Sequence, residues 1–169
     1  MEQKKETLLE IHDLSVSFRM YTRALEQTQL RVISNLHLTV CPGQIVAIAG
    51  SSGSGKSLLA SAILGILPDN ASVQGHLHYK GQELTPAMQQ RLRGHEIALV
   101  PQSVAYLDPL MKVGAQTDGT LRPKPSEKRR KIFDRLHLPP QTPQLYPFQL
   151  SGGMARRVLV STALITDAE

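Results

Sequence analysis

Two stretches near the N-terminus alternate apolar and polar residues, and this period of two predicts half-buried antiparallel β strands. The apolar positions of the first stretch are Leu14, Val16 and Phe18, and those of the second are Leu36, Leu38 and Val40. Residues 20–31 between them are mostly polar and are predicted to form a loop. The chain is therefore expected to begin with an antiparallel β subdomain.

Two short runs are apolar without alternation, which favours strands that are buried on both faces. They are Ile45-Val46-Ala47-Ile48-Ala49 and Ile97-Ala98-Leu99-Val100. After the first run, the pattern predicts a helix to about residue 67, a strand over residues 73–80 and a short helix over residues 86–93. Strands that alternate with helices are typical of α/β folds.

Between residues 104 and 150 the sequence is rich in proline, and the prolines separate short segments with helical periodicity. The clearest of these segments covers residues 126–138, and the whole region is predicted to be a small helical subdomain. Periodic structure returns at Ser151, and one helix accommodates Val158, Leu159, Ala163 and Leu164. The predicted division is residues 8–102 for the β subdomain with the core, and residues 103–164 for the helical subdomain.

The composition is that of a globular protein. The chain has 169 residues, of which 41% are hydrophobic and 20% charged. No apolar run approaches the roughly 18 residues of a membrane-spanning helix. The single cysteine, Cys41, excludes an internal disulfide and a multi-cysteine metal site, and cysteine usage of this kind favours the cytosol.

The net charge is +5, with a local basic cluster at Lys124, Lys128, Arg129, Arg130 and Lys131. Such a cluster indicates either a nucleic-acid or lipid contact or a solvated helix face. The solvated face is favoured, because no aromatic platform accompanies the charge. Ile132, Phe133 and Leu136 are then predicted to face inward.

Residues 50–57 carry the most specific chemical signal in the sequence. They are Gly50, Ser51, Ser52, Gly53, Ser54, Gly55, Lys56 and Ser57. This spacing between a predicted strand and a predicted helix is that of a P-loop. The glycines allow positive φ, so that successive N–H groups converge on a phosphate. Lys56 adds a charge for the β- and γ-phosphates, and the Ser57 hydroxyl suits Mg²⁺.

A second motif, Leu150-Ser151-Gly152-Gly153-Met154, stands just before the last predicted helix. Alone it is weak, because any capped helix can begin in this way. The order of the elements along the chain is more specific. The P-loop comes first, then a strand that ends in Val100-Pro101-Gln102, then a helical region, and then this motif. The chain, from about residue 8 to its end, resembles the nucleotide-binding domain of ABC transporters. The implied fold class is an α/β P-loop NTPase with an N-terminal antiparallel β subdomain and a helical insert.

The resemblance implies roles for particular residues, with ATP and Mg²⁺ as cofactors. Gln102 would contact Mg²⁺ and the attacking water and would face the membrane subunits. Ser151, Gly152 and Gly153 would bind the γ-phosphate of ATP held by a second ATPase subunit. An aromatic residue on the first strand would stack on adenine, with Phe18 the better candidate and Tyr21 the second. No role in nucleic-acid binding is expected.

Three further stretches are similar to ATPase subunits of importers for dipeptides, oligopeptides or nickel. They are Gly65-Ile66-Leu67-Pro68, Leu107-Asp108-Pro109-Leu110 and Leu145-Tyr146-Pro147-Phe148. The last of them slightly favours nickel-type members. The implied partners are permease subunits and, indirectly, an extracytoplasmic binding protein, and the implied location is the cytoplasmic face of the cell membrane. The six histidines are not expected to bind nickel, since other subunits would handle the metal.

One part of the family pattern is missing from these residues. In ABC proteins an apolar strand that ends in Asp-Glu follows the helix that begins at the second motif, and a histidine that acts as a switch comes later. No run of four apolar residues followed by Asp-Glu occurs here. The sequence is therefore expected to be a fragment, and the segments 45–49 and 97–100 are expected to lack their parallel neighbours and to present unpaired backbone groups.

Two alternatives to an importer ATPase stay open at this point. The first is an ATP-binding remnant that does not hydrolyse the nucleotide. The second is a soluble ABC ATPase that acts on nucleic acid or ribosomes, which is disfavoured because neither a coiled coil nor zinc-binding cysteines accompany the motifs.

Overall fold

The chain divides into two units, each with its own buried residues. The computed structural model describes residues 6–21, 26–118, 127–166 and 168. The first unit, Met1–Arg91, is built on a sheet, and the second, Leu92–Glu169, on helices. We call them the sheet unit and the helical unit. The division predicted from the sequence, near residue 102, falls within the helical unit.

The sheet unit holds four strands with antiparallel neighbours, in the order β2-β1-β3-β4. The strands are β1 (Leu9–Tyr21), β2 (Gln27–Val40), β3 (Ala71–Tyr79) and β4 (Gln82–Glu83). Helix α1 (Lys56–Leu64) lies between β2 and β3 in sequence, and helix α2 (Pro86–Leu92) follows β4. The predicted antiparallel β subdomain is confirmed.

The predicted loop over residues 20–31 is wrong. Strand β1 continues to Tyr21, strand β2 begins at Gln27, and these two residues lie opposite each other. Backbone hydrogen bonds pair β1 with β2 at this polar end, and such bonds do not depend on alternation of apolar and polar side chains. A rule based on alternating apolar residues therefore misses it.

Strand β1 contains a β-bulge that changes which side chains face the core. Under strict alternation Ile11 and Asp13 would share a face, yet Ile11 is fully buried and Asp13 is exposed. Asp13 and Leu14 lie opposite the single residue Gly75, and Asp13 takes a φ of 54°. The extra residue returns Leu14, and after it Val16, to the buried face.

The two continuous apolar runs are not buried strands, so that prediction is wrong. Residues 44–50 form no strand, and Ile45 is 97% and Ile48 48% exposed. In the second run Val100 is 46% exposed, and Ile97 makes only an isolated bridge with Arg93. Within the described part of the chain neither run has a parallel strand beside it. Both runs are only partly covered: Val46 is 37% exposed, and Ile97 and Ala98 are half-buried.

The helical unit is built from α3 (Val113–Asp118), α4 (Glu127–Arg135) and α5 (Gly152–Leu164). Three short 3₁₀ turns, Val104–Tyr106, Thr142–Gln144 and Pro147–Gln149, connect them or precede them. The core of the unit consists of Leu107, Val113, Phe133, Leu138, Ala155, Val158 and Leu159. The predicted helices over residues 126–138 and after Ser151 correspond to α4 and α5. No helix among the described residues is both long and apolar enough to cross a membrane.

The basic cluster is only partly a solvated helix face. Lys131 is exposed and forms an ion pair with Glu127 one turn earlier, at 3.1 Å. Arg129, in contrast, is mostly buried, pairs with Asp118 and donates to the Gly114 carbonyl oxygen at 3.1 Å. Arg129 therefore holds α4 to α3, and Lys124 lies outside the described residues.

Thr142 supplies a prediction about stability. Its side chain is fully buried, and among the described residues its Oγ1 has no hydrogen-bond partner. An unsatisfied buried hydroxyl costs about 1–3 kcal/mol, so Thr142→Val should raise the free energy of unfolding by about 1 kcal/mol in urea denaturation. Thr117→Val is the matched control, because buried Thr117 donates from Oγ1 to the Val113 and Gly114 carbonyls, at 3.1 Å each. The control should lose stability, and a gain in both variants would contradict the explanation.

Candidate nucleotide-binding site

In the loop over residues 50–57, two of the three glycines have the positive φ that is expected of a phosphate-binding loop. Gly53 has a φ of 82° and Gly55 a φ of 87°, which favour glycine. Gly50 is different and does not have a positive φ. A Cβ there would lie 2.7 Å from Ser54 Oγ, so a larger residue at position 50 would require the Ser54 side chain to change its rotamer. The prediction of positive φ is thus corrected for Gly50.

The loop leads into the N-terminus of α1 without a side-chain cap. Gly55 is the N-cap residue and makes no side-chain hydrogen bond, and the first turn of α1 contains no acidic residue. The first N–H groups of a helix have no partner within the helix. They therefore point toward the loop together with the positive end of the helix dipole, which is an arrangement that binds anions.

Lys56 is folded back onto its own loop. Its Nζ donates to the carbonyl oxygens of Gly50 at 2.8 Å and Ser51 at 2.6 Å, and to Ser54 Oγ at 3.2 Å. The ammonium group therefore stands over the concave side of the loop and bonds to neutral oxygens. A phosphate is a stronger acceptor for the same donors, since charge-assisted hydrogen bonds exceed neutral ones.

A cavity of about 260 Å³ lies beside the loop. One wall is formed by the loop residues Gly50, Ser54, Gly55 and Lys56, and another by residues 32–34 and 36 of β2. The contact with β2 is close, because a Cβ on Gly55 would lie 3.2 Å from Val32 and 3.1 Å from Ile33. The packing of Gly55 against β2 thus sets how closely the loop approaches this strand. This wall could not be predicted from the loop motif, because the motif carries no information about which distant residues pack against it.

The residues present fit a magnesium-bound polyphosphate. The uncapped helix N-terminus and Lys56 supply N–H donors for phosphate oxygens. Ser57 is exposed in the first turn of α1, and its hydroxyl is a ligand type that Mg²⁺ accepts. Ser51 and Ser52 are also exposed on the loop. A bound Mg²⁺ would supply charge neutralisation to the phosphates.

The second motif forms the start of α5. Ser151 is the N-cap residue, and its Oγ accepts a hydrogen bond from Met154 N at 3.3 Å. The hydroxyl keeps its own proton for donation, because a serine is both donor and acceptor. Gly152 and Gly153 are exposed, and a Cβ on either would meet no atom within 4 Å. The surface beside this helix turn is therefore open within the helical unit.

Three remaining candidates are Gln102, in the helical unit, and Phe18 and Tyr21, on the first strand. Gln102 is exposed in the helical unit, directly after the 97–100 run. Phe18 is half-buried in β1 opposite Leu30 and Ala71, whereas Tyr21 is 70% exposed at the end of β1. Their roles toward Mg²⁺ and adenine stay predictions.

Comparison with known proteins relates this arrangement to one family. The sequence matches the family described as ABC transporter over residues 33–169. It is 30% identical to the dipeptide transport ATP-binding protein DppD of Lactococcus lactis subsp. cremoris, over 98% of this chain and 50% of that protein. It is 36% identical to the oligopeptide transport ATP-binding protein OppD of Mycobacterium tuberculosis, over 96% of this chain and 28% of that protein. The chain spans about half the length of most of the curated relatives it matches, and less of the mycobacterial protein.

The fold is also shared with solved structures. The dimeric structure of MJ0796, a bacterial ABC transporter cassette, matches with a TM-score of 0.74 and 22% identity, over 95% of this chain and 71% of that one. The fold is therefore that of an ABC nucleotide-binding domain, of which the chain covers part. Together with the sequence match, this shows that the chain belongs to the ABC transporter ATPase family.

Proposed function

We propose that the chain is the ATP-binding part of an ABC importer subunit. The observation that carries this proposal is the loop of residues 50–57, where Lys56 Nζ lies over the loop carbonyls beside the uncapped N-terminus of α1. ATP would replace the neutral oxygens that Lys56 now contacts. Ser57 and Gln102 would hold Mg²⁺, and Phe18 would stack on the adenine.

The proposed assembly has two ATPase subunits that meet head to tail. Ser151, Gly152 and Gly153 at the open start of α5 would contact the γ-phosphate of ATP on the other subunit. ATP binding would close the dimer, and water would attack the γ-phosphate, with rate acceleration from positioning and charge stabilisation. The subunits would bind permeases at the cytoplasmic face of the membrane.

Peptides are the proposed cargo of the importer. The relatives from Lactococcus lactis and Mycobacterium tuberculosis are named for dipeptide and oligopeptide transport, and this supports the proposal. Nickel is the second candidate, because the stretch Leu145-Tyr146-Pro147-Phe148 resembles nickel-type importers. In either case the cargo itself would be bound by other subunits of the importer.

An uptake experiment tests the proposal. The gene that encodes the chain is disrupted in its own organism, and uptake of a radiolabelled tripeptide and of radioactive Ni²⁺ is measured. Peptide uptake should fall to background and return with the wild-type gene, but not with a Lys56→Ala gene. Loss of Ni²⁺ uptake alone would assign nickel as the cargo. Normal uptake of both would contradict an importer role and favour nucleotide binding without transport.

A further inference from the structure

The start of α5 is a weak helix start that needs support from elsewhere. The helix begins with Gly152 and Gly153, and glycine is among the poorest helix formers because ordering it costs the most backbone entropy. No atom lies within 4 Å of where their side chains would be, so packing does not hold these two residues. Within the described residues, the Ser151 cap is one restraint. A second restraint comes from Arg157.

Arg157 joins the first turn of α5 to the end of α4. Its Nε donates to the Gly153 carbonyl oxygen at 3.3 Å. Its Nη1 donates to the carbonyl oxygens of Leu136 at 3.0 Å and His137 at 2.9 Å. One planar guanidinium therefore spans two segments that are 16 or more residues apart in sequence, as its fork of donors allows.

The end of α4 is shaped to present those two carbonyls. His137 adopts a left-handed φ of 50°. The N–H groups of His137 and Leu138 bond to the carbonyls of Asp134 and Phe133, at 3.0 Å each, which is the Schellman pattern. This pattern leaves the carbonyl oxygens of Leu136 and His137 without hydrogen-bond partners in the helix. Arg157 donates to both of them. At the other end of the helix pair, Lys128 Nζ donates to the Thr166 carbonyl at 3.2 Å.

We propose that Arg157 is a positioning residue that fixes Ser151, Gly152 and Gly153 in the orientation needed to contact the γ-phosphate of a second subunit. The inference rests on the proposed function of that motif. Arg157 does not itself touch the nucleotide in this proposal. It acts by holding the Gly153 peptide against the α4 turn, so that the N–H groups of the first turn of α5 are ordered before the phosphate arrives.

The neighbouring arginine offers a matched control. Arg156 is exposed on the same helix, so Arg156→Ala removes the same charge one residue away. Arg157→Lys is the conservative variant, because a single ammonium group can reach the α4 carbonyls or the Gly153 carbonyl but does not reproduce the fork. Binding of ATP to the P-loop is measured separately for each variant and should not change.

The first measurement is amide hydrogen exchange at residues 152–154 in the full chain. The second is MgATP-dependent self-association, followed by sedimentation velocity. Arg157→Ala should speed the exchange and weaken the association by about tenfold, the equivalent of roughly one lost hydrogen bond. Arg156→Ala should do neither. Arg157→Lys should recover thermal stability but not the association.

Three results would overturn the proposal: unchanged exchange in Arg157→Ala, equal effects of Arg156→Ala and Arg157→Ala, or complete recovery of association in Arg157→Lys. If the wild-type chain stays monomeric with MgATP, the proposed dimer itself is contradicted. The exchange rates alone then decide whether Arg157 orders the turn. The two failures are therefore distinguishable.

Discussion

Replacing Lys56 by alanine should weaken ATP binding by roughly tenfold to 150-fold. The reason is the loss of one charge-assisted hydrogen bond to the phosphates, which contributes about 1.5–3 kcal/mol. In the free protein the Lys56 ammonium already lies over the loop, with Gly50 and Ser51 carbonyls at 2.8 and 2.6 Å. It needs to exchange partners but not to move far, so little of the gain is spent on ordering the side chain. Isothermal titration calorimetry with MgATP measures the change.

Two controls separate this effect from net charge and from loop disorder. AMP lacks the β- and γ-phosphates, so its weaker affinity should be the same in the wild type and in Lys56→Ala. Lys131→Ala removes one positive charge whose described ion pair is with Glu127, and it should leave ATP affinity unchanged. An ATP affinity that is unaffected by Lys56→Ala would show that the loop does not bind nucleotide through this residue.

The parts of the site that could be predicted from the sequence are those formed by residues that are consecutive in the chain. The sequence of residues 50–57 predicts a turn into a helix, and α1 does begin at Lys56. The Ser151 motif predicts a capped helix, and Ser151 does cap α5. In both cases the determinants lie within a few residues of one another, so that local rules for glycine and for N-caps suffice.

The parts that could not be predicted depend on contacts between distant segments. The wall of the cavity at Val32 and Ile33 and the bridge from Arg157 to the α4 turn join residues that are far apart in sequence. The apolar runs at residues 45–49 and 97–100 have the composition of buried strands, but a strand also needs a hydrogen-bonded neighbour, and in the described part of the chain neither run has one. The bulge in β1 is a further case.

Replacing Gly75 by alanine should destabilise the protein by about 2–6 kcal/mol, the largest stability effect that we expect from one methyl group. Gly75 has a φ of 102°, which costs a side chain about 1–3 kcal/mol. Its Cβ would also lie 2.6 Å from the Asp13 carbonyl oxygen and 2.7 Å from that of His12. Relief of such overpacking costs about 1–3 kcal/mol more. Both atoms belong to the β1 backbone at the bulge, so they cannot move without opening the β1–β3 pairing.

Gly81→Ala separates the clash from the strain. Gly81 also has a positive φ, of 75°, in the two-residue turn between β3 and β4, but a Cβ there would meet no atom within 4 Å. It should cost only about 1–2 kcal/mol, and the loss of unfolded-state entropy is common to both variants. Urea denaturation at an unchanged m value measures the difference, which is the cost of pushing β1 away from its bulge. Equal losses in the two variants would mean that Gly75 is required for its backbone angle alone. A larger loss at Gly75 would mean that the bulge, and with it the burial of Leu14 and Val16, depends on having no side chain at that position.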